Sequence, residues 1–349
     1  MLTPVIVAWA NGSAREFEEA VPLEFIGRHN QKRNFYNQIQ ILFLEGFDRL
    51  DADYKDRLRA LGYQIHNVEQ IFQTQKKKFS GLLRFNSYEL KCFLRWPVIQ
   101  EFFLGQPLVH FDGDIVFNID PKELISCWEN LDFVLQGCPA VTVMKDQKWL
   151  EVYHSELMSL SKDVEGYSKS AWKRRVGWEA TQYSKWAGAR LREVVSSDQD
   201  LISHLIHTNL LPQNDPQEVL RQSNDLVLFE QPLSFDLYFS ERPVAYRREA
   251  GVDFMNQKRV GLWHMQSDFC HYLLKAIAKK EHLSWFLRSR LSRDYEGVQF
   301  LIYRIYRRLL FGKRLPRLFV YKYFFEENDF SCVFKDQVWW KSNILKSKN

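Results

Sequence analysis

Apolar residues follow two different periods in the first half of the chain. Short apolar runs bounded by turn residues predict strands at Pro4–Ala10, Gln38–Leu44, Tyr63–Val68, Leu108–Phe111 and Phe133–Met144. Apolar residues three and four positions apart predict helices at Ala52–Leu61 and Ser87–Phe103. Because strands that are separated by helices pair in parallel, with helices on both faces, the pattern predicts an α/β fold with a mostly parallel sheet.

The periodicity is weaker between residues 145 and 195, where Trp, Tyr, Lys and Ser are frequent. This composition indicates an irregular, substrate-facing insertion or a small helical subdomain. After it, the apolar period predicts a helix at Asp198–Leu211, for which Ser196 and Ser197 are natural N-cap residues. Short strands are predicted at Leu226–Phe229 and around Tyr238 and Ala245.

The chain has no internal repeat, low-complexity tract or Pro- or Gly-rich linker that would separate independent domains. We therefore predict one elaborated domain over residues 1–272. A basic, aromatic-rich helical region is predicted to follow it, over residues 273–349.

Basic residues are concentrated in this C-terminal region, although the net charge of the whole chain is only +5. Between Lys275 and Lys322, Lys and Arg far outnumber Asp and Glu, and aromatic residues lie among them. Such a segment suits terminal helices that pack their aromatic side chains on the core, or peripheral contact with an anionic membrane surface. Nothing else in the chain resembles a nucleic-acid-binding module, so no nucleic-acid partner is expected.

Cysteine usage and hydropathy predict the compartment. Five cysteines, scattered and odd in number, form neither a disulfide framework nor a CxxC metal motif. The N-terminal segment MLTPVIVAWANGS lacks a basic region and a small-residue cleavage site, so we predict a first strand there, not a signal peptide. No stretch approaches the roughly 20 apolar residues that a transmembrane helix needs. These features predict a cytoplasmic protein, with or without contact to a membrane surface.

Two carboxylates, Asp112 and Asp114, end the apolar run in the segment PLVHFDGDIVF. Gly113 between them allows a sharp turn where the strand ends, and that end of a strand borders the ligand crevice in an open α/β sheet. Carboxylates so close together repel each other unless a cation lies between them. Oxygen ligands favour Mg²⁺ or Mn²⁺, which also binds phosphate oxygens. A solvated turn is the alternative, because Asp and Gly are common turn residues.

An apolar strand that runs into Asp-x-Asp resembles the metal-binding motif of GT-A-fold glycosyltransferases, which transfer a sugar from a nucleotide-sugar donor. Haloacid-dehalogenase phosphatases carry a similar pattern near the start of their domain, whereas more than a hundred residues precede it here. The resemblance implies a GT-A fold, Rossmann-like with a mostly parallel sheet flanked by helices. It also implies that Asp112 and Asp114 bind Mn²⁺ or Mg²⁺, and that Asp112 and Gly113 border the donor.

Asp198, Gln199 and Asp200 begin the later helix, where acidic side chains are favoured by the helix dipole alone. Their order is also similar to the second motif of retaining, GT8-type GT-A enzymes, which lies under the transferred sugar. The similarity implies that Asp198 and Gln199 contact donor or acceptor hydroxyls, with Gln199 near the anomeric carbon. Asp198 or Asp200 would equally suit the role of base in an inverting enzyme.

His264 follows the apolar residues of the segment VGLWHMQS. A histidine after an apolar run is commonly a core residue or a hydrogen-bonded one. In metal-dependent GT-A enzymes, however, a histidine near the end of the catalytic domain often completes the metal site, and the resemblance gives this role to His264. Together with Asp112 and Asp114 it would supply three protein ligands, and diphosphate oxygens and water would complete an octahedron.

Ser87, Tyr88 and Lys91 look like the small-aromatic-x-x-basic pattern that precedes the metal motif in GT8-like proteins. The basic residue there faces the diphosphate or the sugar. Lys91 stands where arginine is usual, which keeps the charge but loses the bidentate geometry. Arg95, one helical turn later, is an alternative, and a solvated helix face would explain both residues equally well.

Ala8 and Trp9 at the end of the first strand, and Asn11 after it, resemble by position the loop that receives the nucleotide base and ribose. Trp9 or Asn11 would then make the contacts with the nucleotide. The same residues would also serve simply to end the strand.

These motifs together predict a metal-dependent hexosyltransferase, with a UDP-sugar as the favoured donor and retention as the favoured outcome. A glycan or a lipid-linked acceptor, as in polysaccharide biosynthesis, is the expected second substrate. Two alternatives stay open: a nucleotidyltransferase, and a non-catalytic binding protein on a GT-A-like fold.

Overall fold

The structure is a computed structural model that describes residues 2–135, 139–174, 195–214, 226–229, 246–266, 269, 270, 273 and 317–327. Within this part, the chain forms two compact units. The first unit contains the described residues of Met1–Phe17, Gly27–Gly113 and Asp120–Asn224, and the second those of Glu18–Ile26, Asp114–Ile119 and Asp225–Asn349.

Strands and helices alternate through most of the described chain. The strands are β1 Thr3–Trp9, β2 Gln40–Glu45, β3 Gln64–Asn67, β4 Leu108–Phe111, β5 Ile115–Phe117, β6 Phe133–Val134, β7 Val141–Met144, β8 Leu226–Phe229, β9 Tyr246–Glu249, β10 Val252–Met255 and β11 Lys258–His264. The helices are α1 Ala14–Ala20, α2 Leu23–Lys32, α3 Ala52–Ala60, α4 Glu69–Lys78, α5 Ser87–Phe103, α6 Pro121–Ser126, α7 Lys148–Lys162, α8 Val164–Arg174, α9 Asp198–His207 and α10 Arg317–Lys322.

The first unit contains a six-stranded sheet in the order β3-β2-β1-β4-β7-β6. The four strands from β3 to β4 are parallel, with Val5 of β1 opposite both Gln40 of β2 and His110 of β4. Strands β7 and β6 continue the sheet antiparallel. The prediction of an α/β fold with a mostly parallel sheet is therefore confirmed.

Strands β1, β2 and β4 are apolar along most of their length, with His110 as a polar residue inside β4, because both of their faces are covered. Helix α5 packs in the same core and is buried around nearly its whole circumference, including Lys91 and Arg95. It begins at Asn86, whose side chain accepts hydrogen bonds from two N–H groups of the first turn. It ends at Leu104, which has a left-handed φ of 49°. Since buried charges must be paired, these two basic residues require carboxylate partners.

The second unit contains a sheet in the order β5-β11-β10-β9, with antiparallel pairs, and β8 pairs in parallel with β11. Strand β5 begins directly after Asp114, so the second half of the Asp-x-Asp motif belongs to this sheet. Its core contains Val116, Trp263, Phe269, Tyr321 and Phe324.

A buried carboxylate, Asp253, connects the strands of this second sheet. Its oxygens accept hydrogen bonds from the Tyr246 hydroxyl at 2.8 Å, from Trp263 Nε1 at 2.8 Å and from Arg248 Nη2 at 3.1 Å. The Asn118 side chain bonds the backbone of Asp253 from both its amide atoms. A fully satisfied polar network of this kind fixes the register of the strands that surround it.

Two boundaries differ from the sequence-based prediction. The single strand predicted at Phe133–Met144 is wrong, because this segment forms two antiparallel strands, β6 and β7, with Pro139 between them. Proline lacks the N–H that a continuous central strand would need. The helix predicted to reach Leu211 ends at His207 instead, and Asn209 adopts a left-handed φ of 54°.

Residues 148–174 form helices α7 and α8, which agrees with the helical alternative for the 145–195 region. The strands predicted around Tyr238 and Ala245 lie outside the described residues, as does most of the region 273–349. Residues 317–327 of that region form α10 and a π-helical turn after it. In the part of the chain that the structure describes, no helix is both long and apolar enough to cross a membrane.

The chain segments that follow β1 and β2 pass very close to each other at Ala10 and Gly46. Gly46 has a φ of +77°, and a Cβ atom at this position would overlap the carbonyl oxygen of Ala10. We expect Gly46→Ala to lower the free energy of unfolding by about 3 kcal/mol, from left-handed strain plus overpacking. Urea denaturation measures this change.

Gly251→Ala is the matched control, since Gly251 has a φ of +79° but nothing within 4 Å of the added Cβ. It should lower the free energy of unfolding only by the strain of the left-handed backbone, about 1 kcal/mol. Equal losses in the two variants would show that the approach of Gly46 to Ala10 does not matter for stability.

Candidate functional site

Asp114 and His264 lie next to each other in the second unit because β5 and β11 pair antiparallel. His264 is opposite Ile115 in this pair, and Met265 N donates to Asp114 O at 2.9 Å, which extends the ladder. The pairing places His264 Nε2 3.2 Å from Asp114 Oδ1. Both side chains are largely buried, with 5% and 16% of their surfaces exposed.

Arg317 contacts the other oxygen of Asp114. Arg317 Nη1 donates to Asp114 Oδ2 at 3.1 Å and to the carbonyl oxygen of Ala20 at 3.3 Å. Burial alone would raise the pKa of Asp114, but His264 and Arg317 outweigh it and lower this pKa to about 2. Asp114 is therefore an ionised carboxylate at neutral pH, which is the form that binds metal ions.

Asp112 stands two residues before Asp114, across the turn at Gly113. One ligand atom from each of Asp112, Asp114 and His264 lies within 4.8 Å of the others. Two carboxylates and an imidazole are a donor set that suits Mn²⁺ or Mg²⁺ with phosphate oxygens and water as further ligands. The three residues predicted as metal ligands are thus brought together, and their chemistry fits a divalent ion.

In the first unit, Arg95 lies between two carboxylates. Its Nη1 donates to Asp112 Oδ1 at 2.7 Å, while its Nη2 and Nε donate to Asp198 Oδ2 at 2.7 and 3.1 Å. Trp96 Nε1 donates to the same oxygen of Asp198 at 3.1 Å. The Arg95 and Asp198 side chains are only 7% and 5% exposed. Arg95 therefore fixes the orientation of Asp112 and is itself fixed by Asp198.

Lys91, the other basic residue predicted to face the donor, is also paired. Its Nζ lies 3.0 Å from Glu45 Oε2 and donates to Ser87 Oγ at 2.6 Å, and its side chain is 5% exposed. Glu45, at the end of β2, was not among the predicted site residues. Both predicted cations, Lys91 and Arg95, thus have carboxylate partners within the protein.

The residues predicted for the nucleotide lie at the end of β1 but differ in exposure. Ala8 is buried, whereas Asn11 is exposed and its backbone oxygen accepts a hydrogen bond from Arg49. Trp9 is partly exposed and packs edge-on against Tyr88, with ring centroids 5.6 Å apart. Tyr88 is 62% exposed, so this aromatic pair presents a surface to solvent.

The three polar residues that begin α9, Asp198, Gln199 and Asp200, differ in burial and in their hydrogen bonds. Asp200 Oδ2 accepts hydrogen bonds from both the backbone N–H and the hydroxyl of Ser196 at 2.9 Å, so it holds the turn before the helix. The Ser197 hydroxyl accepts from Asp200 N at 3.2 Å and caps the helix, as predicted. Gln199 is exposed, while Asp198 is buried against Arg95.

The sequence-based prediction did not include His110, which lies beside Asp112. Its signal in the sequence is that it is the single polar residue of the apolar strand β4. His110 is fully buried, its Nδ1 lies 3.1 Å from Pro139 O, and its Nε2 lies 3.9 Å from Asp112 Oδ1. Burial, assisted by the charge of Arg95, lowers the pKa of His110 to about 3. It is therefore neutral under physiological conditions.

Replacing Arg95 tests whether it holds the two carboxylates. We expect Arg95→Met to lower the free energy of unfolding by roughly 3–5 kcal/mol, because Asp198 would be left buried without a counter-charge. Arg59→Met is the control, since the side chains of Arg59 and Asp56 are 52% and 71% exposed. It should change stability by less than about 1 kcal/mol. Similar small losses in both variants would contradict the structural role of Arg95.

The low pKa of His110 predicts an acid-sensitive fold. Below its ordinary pKa of 6.5 the unfolded chain takes up a proton that the folded chain does not, until the pH approaches about 3. Stability should therefore be full above pH 6.5 and fall by about 1.4 kcal/mol per pH unit from this group as the pH drops. Urea denaturation at pH 7, 6 and 5 should show a smaller slope in His110→Gln.

His207→Gln is the control for this measurement, because His207 is exposed. It should keep the pH dependence of the unchanged protein. An unaltered slope in His110→Gln would mean that His110 takes up its proton equally well in the folded and unfolded states.

Comparisons with known proteins give a structural likeness at low sequence identity. No family model matches the chain, and no curated protein matches it either. Among solved structures, the apo form of mouse xyloside xylosyltransferase 1 is similar, with a TM-score of 0.37 and 10% sequence identity. The likeness covers 69% of this chain and 92% of that one. A TM-score of this size is too low to define a fold, so the α/β class rests on the strand order described above.

Proposed function

We propose that this protein is a metal-dependent, GT-A-type glycosyltransferase that uses a nucleotide-diphosphate sugar. The observation that carries the proposal is the cluster of Asp112, Asp114 and His264. It follows a central strand of a mostly parallel sheet, where ligands of open α/β folds bind. A solvated turn would have no reason to bring a buried histidine from a distant strand against its carboxylates.

The residues of the cluster would hold the divalent ion, which supplies Lewis-acid stabilisation of the diphosphate leaving group. Arg95 positions the Asp112 carboxylate for this task, and Asp198 and Trp96 hold Arg95 in turn. Ligand side chains that are oriented in advance in this way bind metals more tightly than mobile ones.

The donor base is proposed to lie against the exposed aromatic pair of Trp9 and Tyr88, since base–aromatic stacking tolerates any base. UDP is the nucleotide we favour. Gln199, exposed beside Asp198 at the start of α9, is proposed to contact the transferred sugar.

Retention of the anomeric configuration is the proposed outcome. An inverting enzyme needs a carboxylate that removes the proton of the acceptor hydroxyl, and Asp198 and Asp200 were the candidates. Both are at least nine-tenths buried and already accept hydrogen bonds, from Arg95 and Ser196 respectively. These contacts favour a retaining mechanism, which mainly needs the acceptor hydroxyl to be positioned on the leaving-group side. A glycan or a lipid-linked sugar is the proposed acceptor.

The proposal is tested by thermal unfolding with Mn²⁺ and each of UDP, GDP, CDP and dTDP. We expect stabilisation that requires both the metal and one nucleotide, reaching about 2.7 kcal/mol when the ligand is present at one hundred times its Kd. Asp114→Asn should abolish it, because the variant lacks a charged metal ligand. Turnover is then measured as sugar release from the selected donor, with and without glycan acceptors.

Asp56→Asn is the matched control, since it removes an exposed carboxylate on α3. It should behave as the unchanged protein in both measurements. Nucleotide binding that is the same with and without Mn²⁺, or that survives Asp114→Asn, would overturn the proposal.

A further inference from the structure

Three consecutive lysines end helix α4 on the surface of the first unit. Lys77 and Lys78 are exposed, and Lys76 is half-buried. Among the residues that the structure describes, none supplies a carboxylate partner to these lysines. The helix dipole favours positive charge at this end of α4, but it offsets only part of three full charges. The end of α4 therefore presents positive charge to solvent.

Lys78 is held by a histidine instead of a carboxylate. Its Nζ donates to His154 Nε2 at 2.9 Å, and His154 Nδ1 donates to Gln100 Oε1 at 2.9 Å. Burial and the neighbouring charge of Lys78 lower the pKa of His154 below its ordinary value. The imidazole is therefore neutral at neutral pH, so it fixes the position of the lysine without neutralising its charge.

An exposed leucine follows the lysines. After α4 the chain enters a short 3₁₀ helix, Ser80–Arg84, in which Leu82 is buried and Leu83 is 51% exposed. Gly81 of this turn packs against the end of α7, where a Cβ atom would overlap the carbonyl oxygen of Ser161. Because this close packing fixes the turn, Leu83 is presented to solvent by a rigid backbone.

Two further basic residues border Leu83. Arg84 lies next to it on the same turn, and Lys162 is exposed at the end of α7. Two carboxylates, Asp163 and Glu165, lie there as well. Arg84 Nη2 is 3.8 Å from Glu165 Oε1, with both side chains at least 40% exposed, and such a pair is weak in water. Positive charge therefore prevails around the leucine.

Lysines that surround an exposed apolar side chain suit an anionic membrane surface. The ammonium groups reach the lipid headgroups, while the apolar side chain enters the boundary between headgroups and acyl chains. A polyanion, such as a nucleic acid or an acidic glycan, would also be attracted by the lysines but would gain little from a leucine. The combination of charges with an exposed leucine favours a lipid partner.

We propose that the surface formed by Lys76, Lys77, Lys78 and Leu83, the α4 surface, docks on membranes that contain anionic lipids. The inference is independent of the proposed function, because none of these residues is a proposed metal or donor ligand. It also differs from the sequence-based expectation, which assigned membrane contact to the basic region 273–349.

Co-sedimentation with vesicles tests the proposal. Vesicles of phosphatidylcholine mixed with phosphatidylserine are compared with vesicles of phosphatidylcholine alone. We expect binding to the anionic vesicles only, and weaker binding as salt screens the charges. The triple variant Lys76→Gln/Lys77→Gln/Lys78→Gln should bind the anionic vesicles about fivefold more weakly for each lysine removed.

The matched control is Lys32→Gln/Lys122→Gln/Lys148→Gln, which removes the same charge from exposed lysines of α2, α6 and the first turn of α7. It should bind the vesicles as the unchanged protein does. Because the two triple variants have the same net charge, a difference between them reports the position of the lysines and not the charge of the whole chain.

The leucine is tested separately with Leu83→Ser, which should weaken vesicle binding several-fold at every salt concentration. Leu210→Ser is its control, since Leu210 is a leucine of similar exposure, 41%, after α9. It should leave vesicle binding unchanged. The melting temperature of each variant confirms that the fold is kept.

Equal losses in the two triple variants, or equal binding to vesicles with and without phosphatidylserine, would overturn the proposal. Vesicle binding that depends on the lysines but not on Leu83, together with equally tight binding of heparin, would indicate a site for polyanions and would also contradict it. None of these results bears on the proposed function, which depends on metal and nucleotide binding.

Discussion

Two carboxylates separated by one residue, Asp112 and Asp114, create the electrostatic constraint around which the described site is built. Each is largely withdrawn from water, so each needs a positive partner in the metal-free protein. Asp112 obtains it from Arg95 within the first unit, and Asp114 from Arg317 within the second, where His264 Nε2 also lies 3.2 Å from its carboxylate. Both carboxylates are thereby held in one orientation, and a metal ion would find these ligands already in place.

The same constraint explains an unusual helix. An all-round buried helix such as Ser87–Phe103 would normally be apolar throughout, yet it carries Lys91 and Arg95. Each is matched by a carboxylate from another element, Glu45 at the end of β2 and Asp198 at the start of α9. Buried pairs of this kind add little net stability compared with apolar residues of the same size, but they fix geometry. We therefore interpret this helix as the element that orients Asp112.

The strands and helices that have a local sequence signal could be predicted from the sequence. Strand β4 and helix α5 were predicted to the residue, because a short apolar run defines the strand and a helical apolar period defines the helix. Asp112, Asp114 and His264 were predicted as metal ligands from the resemblance of their motifs to those of a known family, and one ligand atom of each lies within 4.8 Å of the others. The second sheet was only partly predicted, since β9 and β10 carry charges such as Arg248 and Asp253 that are satisfied by each other and hide the strand pattern. Arg317 lies in a segment rich in basic residues, and its pairing with Asp114 leaves no local signal.

The two arginines that contact the adjacent carboxylates lie in different surroundings. Arg95 is 7% exposed and donates to Asp112 and Asp198 at once, so its guanidinium is held from two sides. Arg317 is 19% exposed and donates to Asp114 Oδ2 and to the carbonyl oxygen of Ala20. Because a side chain held by two charged partners loses little further freedom when a ligand binds, Arg95 suits the orientation of Asp112 before any metal ion arrives.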